Sequence, residues 1–178
     1  RREPGIASRA HFVGMHGAFE WRSKDGGPFG EYNVARDPAS CRAAFAAPWL
    51  SPTITPLDTC GRIVLDGDRY QRVLACEEPL MRIVLDNYRH WARHFTQHDP
   101  ACRSSVLFDT VAVYLAFARD LCEMKRTGVR VTDEGYTVAD EAGRPFDVAL
   151  AWRDKEAYLD LLVERLMAPV VTPARSGA

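Results

Sequence analysis

The stretch Gly30-Glu31-Tyr32-Asn33-Val34-Ala35-Arg36-Asp37-Pro38-Ala39 decides how this chain is read, because a polar loop gives way there to a helix. Asp37 is a helix-capping residue, and Pro38 suits a first helical turn, whose N–H groups lack partners anyway. Cys41, Ala44 and Phe45 then recur on one face, and Pro48 stops the helix. Working upstream, residues 20–32 are polar and rich in glycine and proline, which predicts a loop. Before that loop, His11 to Met15 is a short apolar run ending in Gly14-Met15-His16-Gly17, the pattern of a buried strand. Downstream, Thr53-Ile54-Thr55-Pro56-Leu57 is β-branched and bounded by prolines, which predicts a second strand. Strands that alternate with helices point to an α/β layered fold.

Farther along, Asp66 to Cys76 and Pro79 to Phe95 read as helices. In the second, Leu80, Ile83, Val84, Tyr88 and Trp91 are expected to form the apolar stripe, with Arg82, Arg89 and Arg93 in water. Val106 to Phe117 holds one ionisable residue, Asp109, and is expected to be a buried helix. Arg126 to Val138 and Pro145 to Trp152 alternate as two strands of a C-terminal hairpin joined around Glu141-Ala142-Gly143. Asp154 then opens a last helix carrying Tyr158, Leu161, Leu162 and Leu166. One domain over residues 1–168 and a loose tail over 169–178 are expected.

With 47% apolar and 26% charged residues, the composition is that of a soluble globular chain. A net charge of -1 offers no basic footprint for nucleic acid or an acidic membrane surface. No apolar run approaches the roughly 20 residues of a membrane-spanning helix. The five cysteines are scattered and include no CxxC pair, so a reduced, cytoplasmic setting is expected. The chain starts Arg1-Arg2-Glu3, with neither initiator methionine nor signal peptide, which suggests a processed, truncated or separated chain.

Three features could carry chemistry. In extended backbone, Glu31 and Asn33 would point to one side and converge on a polyhydroxylated ligand, with Tyr32 turned into the core. The competing reading makes this stretch a prelude to helix capping. Asp109 is costly in an apolar helix unless it is paired, hydrogen-bonded or metal-bound. Alternatively, backbone N–H groups and the helix dipole satisfy it, with Ser104 and Ser105 as caps. His90, His94 and His98 share a helix face, but no carboxylate or cysteine supports a metal there, so a solvated face is the better reading.

In order and spacing, these pieces resemble the inosine–uridine-preferring nucleoside hydrolase family. The family's Met-Gly-Gly turn, Ala-Glu-Phe-Asn, Asp-Pro-Glu-Ala helix and Leu-Asp-Val-Thr strand are similar to Met15-His16-Gly17, Gly30-Glu31-Tyr32-Asn33, Asp37-Pro38-Ala39 and Leu57-Asp58-Thr59-Cys60. Its His-Asp-x-x-Ala-Val helix is similar to Phe108-Asp109-Thr110-Val111-Ala112-Val113. The resemblance implies a Rossmann-like fold with a mostly parallel sheet flanked by helices, here without its N-terminal portion. It implies hydrolysis of the N-glycosidic bond of ribonucleosides, with calcium as cofactor and a place in purine and pyrimidine salvage. By the same resemblance Glu31 would hold the ribose 5′-hydroxyl and Asn33 the 2′-hydroxyl, while Asp109 would bind calcium and the 3′-hydroxyl as the catalytic and metal residue. Met15, Asp25 and Phe108 would complete the substrate site.

This chain departs from the family in four places. The D-x-D-x-x-x-D-D motif, which supplies the general base and most calcium ligands, has no counterpart, nor does the Pro-Leu-Thr-Asn segment. Asp25 stands where an asparagine is common, and Phe108 replaces a histidine that protonates the leaving base in some members. Leaving-group activation would then fall to an acid such as His90, to stacking on Trp91 or Phe108, or to another segment. A homo-oligomer, or association with the N-terminal half, is the expected partnership. The alternative is a non-catalytic fragment with a structural or binding role.

Overall fold

Thr53 and Ile54 point to opposite faces of one short strand, and the two helical layers of the fold form around them. In this computed structural model, which describes residues 3–95 and 99–169, a 3-10 turn (Pro4–Arg9) comes first. There follow β1 (Phe12–Met15), α1 (Tyr32–Arg36), α2 (Pro38–Ala46), β2 (Pro52–Thr55), α3 (Leu57–Cys60), α4 (Gly67–Leu74) and α5 (Pro79–Ala92). Then come α6 (Phe108–Leu115), β3 (Cys122–Val131), β4 (Thr137–Ala139), β5 (Arg144–Trp152) and α7 (Lys155–Met167). Contacts divide the chain into one unit of residues 1–63 with 106–155 and another of 64–105 with 156–178.

The first unit holds a five-stranded sheet in the order β1-β2-β5-β3-β4. β1, β2 and β5 run parallel, whereas β5, β3 and β4 pair antiparallel. The fold is α/β as expected, but only half of the strand pairings are parallel. On one face Ile54, Phe146, Val148, Val129 and Val131 pack with Val34, Cys41 and Phe45 of α1 and α2. Burying each such large aliphatic or aromatic side chain contributes about 1.5–3 kcal/mol. On the other face α6 lies against β1 and β2, and buries Val111, Tyr114 and Leu115.

Arg119, just after α6, ties the parallel part of this sheet together. It donates to Asp147 on β5 (2.9 Å) and to the hydroxyl of fully buried Thr53 on β2 (3.0 Å). Arg119→Ala leaves that hydroxyl without its donor, while Asp147 keeps Arg126. A loss of about 1–2 kcal/mol is expected in urea denaturation. A midpoint equal to wild type would show that the arginine does not staple the sheet.

Several expectations need correction. The strand foreseen over 126–138 breaks at Thr132–Tyr136, where Gly135 takes φ +83°, a conformation open to glycine at little cost. The two C-terminal strands do pair antiparallel, as β3 and β5, and β5 is a central strand of the sheet. Leu57–Cys60 is one turn of helix rather than strand, because Pro56 ends the ladder and its carbonyl accepts from Thr59 and Cys60. α6 is not buried all round: Val113, and Phe117 just beyond its end, are about three-fifths exposed.

The second unit contains α4, α5 and α7 beyond its first residue. Arg69 pairs with Glu156 and Asp160, and the Tyr70 hydroxyl donates to the Pro100 carbonyl. α5 buries Met81, Leu85 and Ala92, whereas Leu80, Ile83, Val84 and Trp91 are exposed. A helix apolar on most sides fits two stripes, and packing selected the one a step round from the stripe expected. His90 and His94 are exposed with rings 6.0 Å apart, and His98 lies outside the described residues. Among the described residues no group of three or more His, Cys, Asp or Glu could hold a metal, and no helix is long and apolar enough to cross a membrane. The tail from 170 onward also lies outside them.

Candidate functional site

Open α/β sheets present their ligand crevices beyond the carboxyl ends of parallel strands. Here a cavity of about 560 Å³ lies in that position, within the first unit. Met15 at the end of β1 and Leu57 just after β2 line it, as do Glu31, Tyr32 and Asn33 from the start of α1. Phe108 and Asp109 enter from the first turn of α6, and Trp21 and Phe29 from the loop after β1. Five of the six site residues read from the sequence therefore meet at one cavity, although 94 positions separate the first from the last.

Glu31 is 3% exposed and caps α1. One carboxylate oxygen accepts from Asn33 N (2.7 Å), and the other from Gly17 N (3.1 Å) and Val34 N (3.3 Å). A carboxylate offers about four lone-pair sites, so three are taken and one is left. The local backbone is thus a helix start rather than the extended segment expected, and Tyr32, 74% exposed, is turned outward instead of into the core. The capping reading of this stretch describes the backbone; it does not remove Glu31 from the cavity wall.

Asn33 donates from Nδ2 to the Met15 carbonyl (3.1 Å) and touches the Met15 sulfur (3.5 Å). Its side-chain oxygen has no partner among the described residues. Asp109 is exposed and its carboxylate makes no hydrogen bond or ion pair among the described residues. Ser104 and Ser105 do not cap α6: Leu107 stands at that position, and the Ser104 hydroxyl is engaged with Leu65 N and the Ser105 carbonyl. Asp25 lies away from the cavity-lining set. It sits in an exposed turn, where hydrogen bonds from the Ser23 hydroxyl and backbone hold its carboxyl below the usual range. His90 and Trp91 belong to the second unit.

Sequence reading missed Trp21, Phe29 and the role of Asp58. Two aromatic residues in an otherwise polar loop were the available signal. The Asp58 carboxylate accepts from Phe19 N (2.9 Å), Glu20 N (2.6 Å) and Trp21 N (2.9 Å), and so fixes the start of that loop. His16 faces the other side of the sheet against Phe12 and Phe45. Burial lowers its pKa, and the charges of Glu31 and Asp109 offset part of that. Burial also pushes the Cys60 thiol up to about 12, so it is no nucleophile at neutral pH.

The cavity can hold a small ligand with several hydroxyls on one side and a flat apolar group on the other. Oxygen acceptors come from Glu31, Asn33 and Asp109, and apolar walls from Trp21, Phe29, Leu57 and Phe108. Calcium takes six to eight oxygen ligands. Among the described residues Asp109 is the one cavity carboxylate free to serve, so these residues do not by themselves make a calcium site.

Among solved structures, the chain is similar to a purine-preferring ribonucleoside hydrolase from Gardnerella vaginalis (18% identity, TM-score 0.74), over 93% of this chain and 55% of that one. A plant nucleoside hydrolase matches with 19% identity and TM-score 0.68, over 89% and 54%. An inosine-uridine preferring nucleoside hydrolase from Bacillus anthracis matches with 16% identity and TM-score 0.52, over 87% and 50%. The chain thus spans about half the length of these structures, and at such identities they speak for the fold alone. No curated protein sequence matches. The sequence model of the inosine-uridine preferring nucleoside hydrolases matches residues 1–163, nearly the whole chain, and on that ground the chain belongs to this family.

Proposed function

We propose that the cavity binds the ribose of a ribonucleoside and that the protein acts in hydrolysis of its N-glycosidic bond. The observation that carries this reading is the meeting of Glu31, Asn33 and Asp109 at one cavity, with one acceptor position left on Glu31 and the Asp109 carboxylate unengaged. Glu31 accepts the 5′-hydroxyl, Asn33 the 2′-hydroxyl and Asp109 the 3′-hydroxyl. Cleavage develops positive charge at the anomeric carbon, and a carboxylate beside it in an apolar setting stabilises that charge. Asp109 would serve as one calcium ligand, with the remaining ligands supplied by the N-terminal aspartate motif of the family. Among the described residues no second free carboxylate lines the cavity to deprotonate water. The second reading is ribonucleoside binding without cleavage. The expected partner, a second copy or the family's N-terminal half, would cover the outer edge of β1 and the exposed Val113 and Phe117.

Ribose release from inosine and uridine by the purified protein, with calcium present, tests both. Release supports hydrolysis. Calorimetric binding without release supports the second reading, and absence of both ends the assignment of the cavity to nucleosides.

A further inference from the structure

Trp21 is held in the cavity wall at three places before any ligand arrives. Its backbone N–H, with those of Phe19 and Glu20, is fixed on the Asp58 carboxylate. The far edge of its indole lies on Gly61, where a Cβ would stand 2.9 and 3.0 Å from two ring carbons. The Arg62 guanidinium lies 5.4 Å from the ring centroid, within cation–π reach. A surface side chain on a loop normally keeps several rotamers, so this degree of restraint is preorganisation of a flat apolar surface. The cavity's acceptors, Glu31, Asn33 and Asp109, suit a sugar, and none of them suits the flat face of a base.

We propose that Trp21 is the stacking platform for the nucleobase, that Asp58 is its positioning residue, and that the bicyclic indole favours purines over pyrimidines. This rests on the reading that the cavity takes a ribonucleoside, and deepens it. Stacking gains with overlapping area, and a purine covers more of an indole than a pyrimidine does. Replacing an aromatic stacking partner typically weakens binding by five- to a hundredfold, on the order of 1–3 kcal/mol per base.

The test is calorimetric titration of the purified protein with hypoxanthine, uracil and D-ribose, each separately. Hypoxanthine is expected to bind about tenfold tighter than uracil. Trp21→Leu should weaken hypoxanthine about tenfold and leave ribose unchanged, whereas Trp21→Phe, the variant less disturbing to folding, should retain part of the affinity. Asp58→Asn, which keeps one acceptor oxygen, should lose less base affinity than Asp58→Ala, again with ribose unchanged. Equal hypoxanthine affinity in wild type and Trp21→Leu, or uracil bound as tightly as hypoxanthine, overturns the inference and leaves the sugar reading standing. Base binding that depends on Trp21 without any ribose binding supports the inference and counts against the sugar reading. A wild-type protein that binds neither defeats both.

Discussion

On the proposed reading, Asp109→Ala lowers kcat/KM for nucleoside cleavage by about three to four orders of magnitude and leaves folding stability within about 1 kcal/mol of wild type. The two halves of this expectation come from one observation: the carboxylate is exposed and makes no hydrogen bond or ion pair among the described residues. Removing it therefore deprives the fold of little beyond a favourable position in the first turn of α6, worth about 0.3–1 kcal/mol. For the ligand, the same change removes a charged hydroxyl acceptor, about 1.5–3 kcal/mol, together with stabilisation of the developing cation, about 3 kcal/mol more. Asp109→Asn keeps the size and one acceptor oxygen but not the charge, so its rate should fall between the two. Steady-state kinetics beside a urea melt reads both quantities. An alanine variant that keeps a tenth or more of the wild-type kcat/KM would remove Asp109 from the chemistry.

How much of this was legible beforehand depends on the kind of signal each element gives. β1, β2 and α2 announce themselves because caps, prolines and β-branched residues act locally, and Asp37 does accept from Ser40 N as its position predicts. Family motifs placed Glu31, Asn33 and Asp109 on one cavity, something no local pattern could do, since distance along the chain says nothing about distance in space. Side-chain direction was not legible. Tyr32 was expected inward because an extended backbone was assumed, whereas the Glu31 carboxylate closes a helix start and rotates its neighbour into solvent. The α5 stripe failed for a different reason: both candidate faces are apolar, and only tertiary packing selects Met81, Leu85 and Ala92. Trp21 was passed over because a loop residue's worth comes from what holds it, here Asp58 and Gly61, some 40 positions away.

Glu31→Ala is expected to act in the opposite way to Asp109→Ala, destabilising the fold by about 3–5 kcal/mol. Three backbone N–H groups lose their acceptor at once, and two of them belong to the buried residues Gly17 and Val34. An unsatisfied buried donor costs about 1–3 kcal/mol, and a lost N-cap about 1 kcal/mol, with overlap between the two. For a chain of this size, that corresponds to a drop in Tm of roughly 10 °C. A lowered rate in this variant would therefore say nothing about the sugar, because the cavity wall itself is disturbed. Glu31→Gln separates the roles. It keeps the length and one carbonyl oxygen for Gly17 N and Val34 N, while its NH2 replaces the oxygen that accepts from Asn33 N and turns the remaining position into a donor. The comparison to make is inosine against 5′-deoxyinosine, well below Tm. Wild type should prefer inosine, and Glu31→Gln should bring the ratio of the two kcat/KM values towards one. An unchanged ratio would leave Glu31 a purely structural cap, and a loss of stability under about 1 kcal/mol in Glu31→Ala would mean that water reaches those three N–H groups after all.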